Sequence, residues 1–189
     1  MAFKISPKYY STKLDSGLLE DIVDVYEDKV RGWLINCGRI LNHHEHAGFG
    51  VLQTALAYFE SYTIFFRGED SYKRSKEFFA EGFNSVFPKP SQYQQSIWDE
   101  FIKILYKDGR CGLSHFGMTR TKVLLQDGSP TFRLMINSQD NSIQFILVDR
   151  YSLVDSIDQH FSNYVMTIRD KSESHLRNNF YKAWQLLHS

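Results

Sequence analysis

Lys107-Asp108-Gly109-Arg110-Cys111-Gly112-Leu113-Ser114-His115-Phe116-Gly117-Met118-Thr119-Arg120 divides this chain into two kinds of pattern. Before it, apolar residues recur at three- and four-residue intervals; after it they crowd into short β-branched and aromatic runs. Gly109 and Gly112 weaken a helix through this stretch, yet Arg110 to Phe116 is helical if packing supports it. On an ideal α-helix a five-residue step turns by about 140°. Arg110 and His115 then point partly apart, unless the turn is distorted or their side chains converge on a groove.

Working upstream, Ser91 followed by Gln94 reads as a capping box, and Ile97, Trp98, Phe101, Ile102 and Leu105 supply one apolar face. This predicts a helix to about Tyr106 or Lys107. Phe87-Pro88-Lys89-Pro90 cannot lie inside a helix. A short helix is expected around Tyr72 to Phe79, and a longer one from Phe49 to Phe66 with Leu52, Leu56, Phe59, Tyr62, Thr63 and Phe66 buried. Arg67-Gly68 is its stop, a cation at the carbonyl end followed by glycine. The first helix begins near Ser16 and carries Leu19, Ile22, Val23, Tyr26, Val30, Trp33 and Leu34 on one stripe. Gly38 and the polar run Asn42 to His46 mark its end.

Downstream, Thr121–Gln126, Thr131–Asn137 and Ser142–Val148 read as strands, joined through Asp127-Gly128 and Ser138-Gln139-Asp140-Asn141. A three-stranded antiparallel meander is the natural reading. Ser152 and Asp155 open another helical region with Leu153, Ile157, Phe161, Tyr164, Val165 and Ile168. A last helix holds Leu176, Phe180, Trp184 and Leu187. The expected fold class is mostly α (α+β), a helical bundle with a small antiparallel insertion. Residues 1–189 form one domain: a helical core at 18–119, the meander at 121–148, and C-terminal helices at 152–188 packed on the core.

The composition is 42% hydrophobic and 23% charged, with 15 Phe, 11 Tyr and three Trp, which is that of a globular chain with many rings inside. No segment carries the roughly 18 uncharged apolar residues needed to span a bilayer. The stretch Met1 to Pro7 lacks the apolar core of a signal peptide. Two cysteines, Cys37 and Cys111, are too few for a disulfide framework. Together these features predict a cytoplasmic, non-membrane protein with reduced thiols.

Twenty-two basic residues balance 22 acidic ones, which argues against a protein that coats nucleic acid nonspecifically. Charge is nevertheless uneven. Lys103, Lys107, Arg110, Arg120 and Lys122 face a single acid, Asp108, and they bracket the Arg110/His115 pair. A permanently cationic, phosphate-seeking guanidinium near a histidine, the residue type that titrates around neutrality, is minimal equipment for phosphodiester chemistry. The plainer reading is that Arg110 pairs with an acid and His115 is a packed imidazole.

The helical context and the Arg110-Cys111-Gly112-Leu113-Ser114-His115 spacing resemble the HEPN superfamily. Its members are compact helical bundles with an arginine, four to six intervening residues and a histidine near the start of a late helix. The resemblance covers about residues 18–119. It implies a metal-independent endoribonuclease without cofactor, working as a homodimer in which two copies of the motif face one another. Arg110 would hold the scissile phosphate, and His115 would move a proton as the RNA 2′-hydroxyl attacks phosphorus. Lys107, Ser114, Thr119, Arg120 and Lys122 would bind substrate. Cys111 stands where active members frequently carry Asn, Asp or His. Other members of the superfamily are noncatalytic RNA- or protein-binding modules, among them partners in toxin–antitoxin or defence systems. A purely structural helical domain is the remaining alternative.

Four further constellations carry less. His43, His44 and His46, with Glu45 and Cys37, have metal-ligand chemistry, but adjacent histidines in a loop rarely all point inward, so no metal is expected. Glu60 interrupts an apolar run and either pairs with Arg110 as a supporting acid or faces water. Cys111 and His115 share a helix face without any recognisable hydrolase context. Arg67, Lys73, Arg74 and Lys76 are interleaved with acids, as on an ordinary surface.

Overall fold

Helix α3, Gly48–Arg67, is the axis around which the other helices pack. Ten of its twenty residues are buried, including Leu52, Leu56, Phe59, Tyr62 and Thr63. It stops where the sequence places its stop: Gly68 takes a left-handed φ of 69° and its N–H closes on the Ile64 carbonyl. A side chain at Gly68 would also meet the backbone of Asn179 at 2.8 Å, so this turn is a packing contact too. Phe66, expected inside, is exposed, while its neighbour Phe65 faces the core against Phe180.

The computed structural model describes residues 2–128 and 130–187. Met1, Ser129, His188 and Ser189 lie outside them, and with them the ends of the expected 1–189 and 152–188 segments and one residue of 121–148. Among the described residues six helical rods surround one hydrophobic cluster. The first comprises α1 (Leu19–Val30), a π-helical turn (Arg31–Ile35) and α2 (Asn36–Asn42), running unbroken through Gly38. The π turn advances the phase of the helix, which leaves Trp33 exposed and buries Ile35 in its place.

Helix α4, Ser75–Val86, is longer than the expected Tyr72–Phe79 and packs closely on α3. Gly82 is the reason they can approach: a Cβ there would lie 2.0 Å from the Phe59 carbonyl oxygen. The capping box at Ser91 and Gln94 does not form. A turn closed by Tyr93 N–H on the Pro90 carbonyl occupies Ser91, and α5 starts at Gln95 without a side-chain cap. α5 (Gln95–Ile104) continues through a second π turn (Leu105–Arg110) into α6 (Cys111–Phe116). The two glycines assist this continuation. Gly109 lies against Leu56, and Gly112 against the backbone of Met118 and Arg120, where side chains would not fit without displacement.

Three strands follow: β1 (Val123–Leu125), β2 (Phe132–Ile136) and β3 (Ile143–Val148). The antiparallel meander needs correction. β2 pairs antiparallel with β3, but the order is β1-β3-β2, and β1 runs parallel to β3. The most buried strand takes the centre, with Ile143, Ile146 and Val148 facing the helices. Pro130 in the β1–β2 connection has no N–H to donate to a ladder, which disfavours a tight hairpin there.

Helix α7 (Arg150–Arg169) is capped by Asp149, whose carboxylate accepts from Tyr151 N–H at 2.9 Å; Ser152 and Asp155 play no such part. Helix α8 (Ser174–Leu186) closes the bundle. Phe161, Ile168 and Phe180 join Tyr26, Phe59 and Phe65 in the same core, so these helices are constituents of the bundle. No described helix is long and apolar enough to cross a membrane.

Candidate functional site

The second π turn delivers Arg110 to the edge of α3. Its Nη2 donates to Glu60 Oε2 at 2.9 Å, and Ser71 Oγ donates to the other carboxylate oxygen at 2.8 Å. Glu60 is nearly buried while Arg110 keeps about 30% of its side chain in solvent. The carboxylate is therefore fixed from both sides, and it fixes one edge of the guanidinium while the rest stays accessible. The plane also lies over the Tyr106 ring, at 5.8 Å from its centre. Burial, together with the Cys111 thiol beside it, pushes the Tyr106 phenol up from its ordinary value, against the lowering effect of Arg110.

His115 is exposed on α6, and no hydrogen bond to its ring is found among the described residues. Ideal helix geometry separates its Cα from that of Arg110 by about 9 Å, and Glu60 draws Arg110 toward α3. The pair thus stands on one helical run, with no contact between the two side chains found among the described residues. Ser114 lies between them on the α3 side, accepting from Gln53 Nε2 at 3.4 Å.

The other expected substrate contacts divide. Lys107 is exposed one turn before Cys111. Arg120 reaches back so that its guanidinium sits 5.1 Å from the centre of the Phe116 ring, while its N–H donates to the Asp108 carbonyl. Thr119 is partly covered where its backbone packs on Gly112. Lys122 is elsewhere: its ammonium donates to the Ile143 carbonyl at 2.8 Å, in an open depression shared with Gln94 and Glu100. Glu100 precedes Arg110 by ten residues, about 15 Å along the helix, so Lys122 is not brought to the pair.

Sequence reasoning missed Ser71, which sits eleven residues from Glu60 across the Gly68 turn and carries no local signal. It also missed His160. That ring is wedged between α3, α4 and α7, with Nδ1 2.8 Å from Tyr58 Oη and Nε2 2.9 Å from Ser85 Oγ. A serine on an imidazole has the outline of a nucleophile and its base. Proton bookkeeping argues otherwise. Tyr58 is buried and its hydroxyl has no second partner among the described residues, so it donates to Nδ1. The proton then sits on Nε2 and is donated to Ser85. In this tautomer His160 cannot deprotonate the serine. Burial pushes its pKa down to about 4, which keeps the ring neutral.

The three loop histidines, His43, His44 and His46, are all exposed, and no group of three metal-ligating side chains is assembled among the described residues. No family model, no curated protein and no solved structure matches the chain.

Proposed function

We propose that the protein binds RNA through the surface spanning Lys107, Arg110, His115, Phe116 and Arg120, and cleaves it without a metal, as a HEPN-type endoribonuclease. The observation that carries the reading is the pinned, partly accessible Arg110 five residues before an exposed imidazole that has no hydrogen-bond partner among the described residues, on one continuous helical run. Glu60 and Ser71 hold the guanidinium in place, so that its free N–H groups meet a phosphate with little conformational loss. In the cleavage step the RNA 2′-oxygen forms a bond to phosphorus and the bond to the 5′-oxygen breaks. A base accepts the 2′-hydroxyl proton, and the departing 5′-oxygen is protonated. His115 serves one or both transfers, and Arg110 stabilises the charge that builds on the nonbridging oxygens. The products are a 2′,3′-cyclic phosphate and a 5′-hydroxyl. A homodimer would place two such surfaces opposite each other.

One observation favours a second, noncatalytic reading as an RNA- or protein-binding module: no hydrogen bond among the described residues orients the His115 ring. The experiment is the same for both. Wild type, Arg110→Ala and His115→Ala proteins are incubated with structured and unstructured RNAs in a chelator. Cleavage that persists, leaves a cyclic phosphate, fails on a strand with a 2′-deoxy substitution at the cut, and falls at least about 100-fold in both variants supports the nuclease. Binding without cleavage supports the module. Equal cleavage by all three proteins removes both residues from the mechanism.

A further inference from the structure

Phe116 ends helix α6 with 61% of its surface exposed, and Met118 beyond the left-handed Gly117 is 56% exposed. An exposed ring alone is unremarkable. This one has the Arg120 guanidinium over it at 5.1 Å, and Arg120 is anchored through its backbone to Asp108. Phe116 also directly follows His115. The ring is thus an exposed platform with one cation, Arg120, over it, next in sequence to the proposed proton-transfer residue.

We propose that Phe116, with Arg120, forms a stacking site for an unpaired base of RNA, which makes single-stranded segments the substrate class of the surface described above. The inference rests on the RNA reading under Proposed function. Bases inside a duplex present only their edges in the grooves, whereas a single strand offers whole ring faces to an aromatic side chain. Arg120 contributes twice: its charge attracts the neighbouring phosphate, and its plane completes a layered contact with the ring and the base. Lys107 and Arg110 supply further charge complementarity along the same helix. The favourable contact belongs to the aromatic face, so apolarity alone at position 116 is insufficient.

The test uses 2′-O-methyl RNA, which keeps bases and phosphates but cannot be cut. A 12-nucleotide single strand, the matching 12-base-pair duplex and a strand of abasic residues are titrated against wild type, Phe116→Ala, Phe116→Leu and Phe116→Trp. Melting temperatures confirm equal folding, as expected for so exposed a position. The proposal expects the single strand to bind wild type more tightly than the duplex does. Both Phe116→Ala and Phe116→Leu should weaken single-strand binding by about tenfold, and Phe116→Trp should retain it. Abasic strands should bind all four proteins equally weakly. Undiminished single-strand binding by Phe116→Ala overturns the stacking site while leaving the RNA reading intact. No binding by wild type overturns the RNA reading and the stacking site with it. If Phe116→Ala instead changes sedimentation from dimer to monomer with unchanged affinity per protomer, the ring covers a second copy of the chain and the proposal fails.

Discussion

His115 and His160 stand on helices of one molecule in opposite circumstances. The first lies on the surface of α6 with no hydrogen-bond partner for its ring among the described residues and a fixed arginine about one and a half turns away. The second has both nitrogens engaged, Tyr62 edge-on at 4.5 Å and Tyr58 at 5.8 Å, and joins α7 to α3 and α4. Judged by hydrogen-bond geometry alone, His160 is the better ordered of the two. The difference teaches that a fully satisfied imidazole has no proton capacity to spare, whereas an unengaged one does. The order of His160 is therefore a sign of structural use, whereas the exposure of His115 leaves it available for the role proposed above.

The most direct way to break this comparison is to truncate each ring and read stability and activity separately. His160→Ala removes packing against Tyr58 and Tyr62 and strands the buried Tyr58 hydroxyl. It should cost about 2 to 3 kcal/mol in denaturant unfolding. Cleavage or binding of RNA, measured well below the transition, should stay within about twofold. His115→Ala should do the reverse, with stability unchanged to within about 0.5 kcal/mol. A large stability loss at His115, or an RNA defect at His160 in folded protein, would reverse the assignment of roles.

How much of this was legible in the sequence depends on the range over which each signal acts. Helix positions, the Gly68 stop and the three strand segments came from local periodicity and turn chemistry. The strand order did not, because which strand takes the centre depends on burial against helices distant in the chain. The π turns at Arg31–Ile35 and Leu105–Arg110 are invisible to a 3.6-residue period, and the first of them is why Trp33 was misplaced inside. At the candidate site, the Glu60–Arg110 contact was one of two readings of a carboxylate in an apolar run, and the structure has the pair at 2.9 Å. Ser71 could not be found, since its contact to Glu60 exists only after α3 has turned at Gly68. His160 was hidden for a related reason: Tyr58, Ser85 and His160 meet from three separate helices.

Acid sharpens the comparison, with a smaller effect. In the unfolded chain His160 takes its proton near pH 6.5, whereas in the folded protein burial holds it back to about 4. Folded pKa lies below unfolded, so the unfolded state binds more protons as pH falls between these values. Stability should be flat above about pH 6.5 and decline toward pH 4, by about 2 kcal/mol given the ring's partial access to water. Glu20, Asp21, Asp24, Glu27 and Glu77 are held below the usual carboxylate range by hydrogen bonds and neighbouring cations. Their contributions begin to be lost below about pH 5, as the unfolded carboxylates take up protons, so the histidine's window stands apart above that pH. A His160→Gln protein should lack the decline between about pH 6.5 and 5. An unchanged slope in that variant would assign the window to other groups.

Ser85→Ala carries the smallest effect and the finest distinction. If Tyr58 donates to Nδ1, then Nε2–H is the donor, and Ser85 accepts from it on the exposed side of the ring while donating its own proton to Tyr62 Oη at 3.3 Å. Removing the hydroxyl leaves that N–H near solvent, where water replaces the oxygen. The expected cost is about 0.5 to 1 kcal/mol, with no change in any hydrolytic activity. Nitrogen-15 shifts of the His160 ring should report an unprotonated Nδ1 and a protonated Nε2, both in wild type and in Ser85→Ala. The opposite tautomer would leave the buried Tyr58 hydroxyl without an acceptor and free Nε2 to accept from Ser85. In that case the serine would become an activated nucleophile, and its loss should abolish a hydrolysis that wild type performs. A protonated Nδ1 in the spectrum would therefore make the Ser85–His160 pair a rival to the proposed Arg110–His115 site.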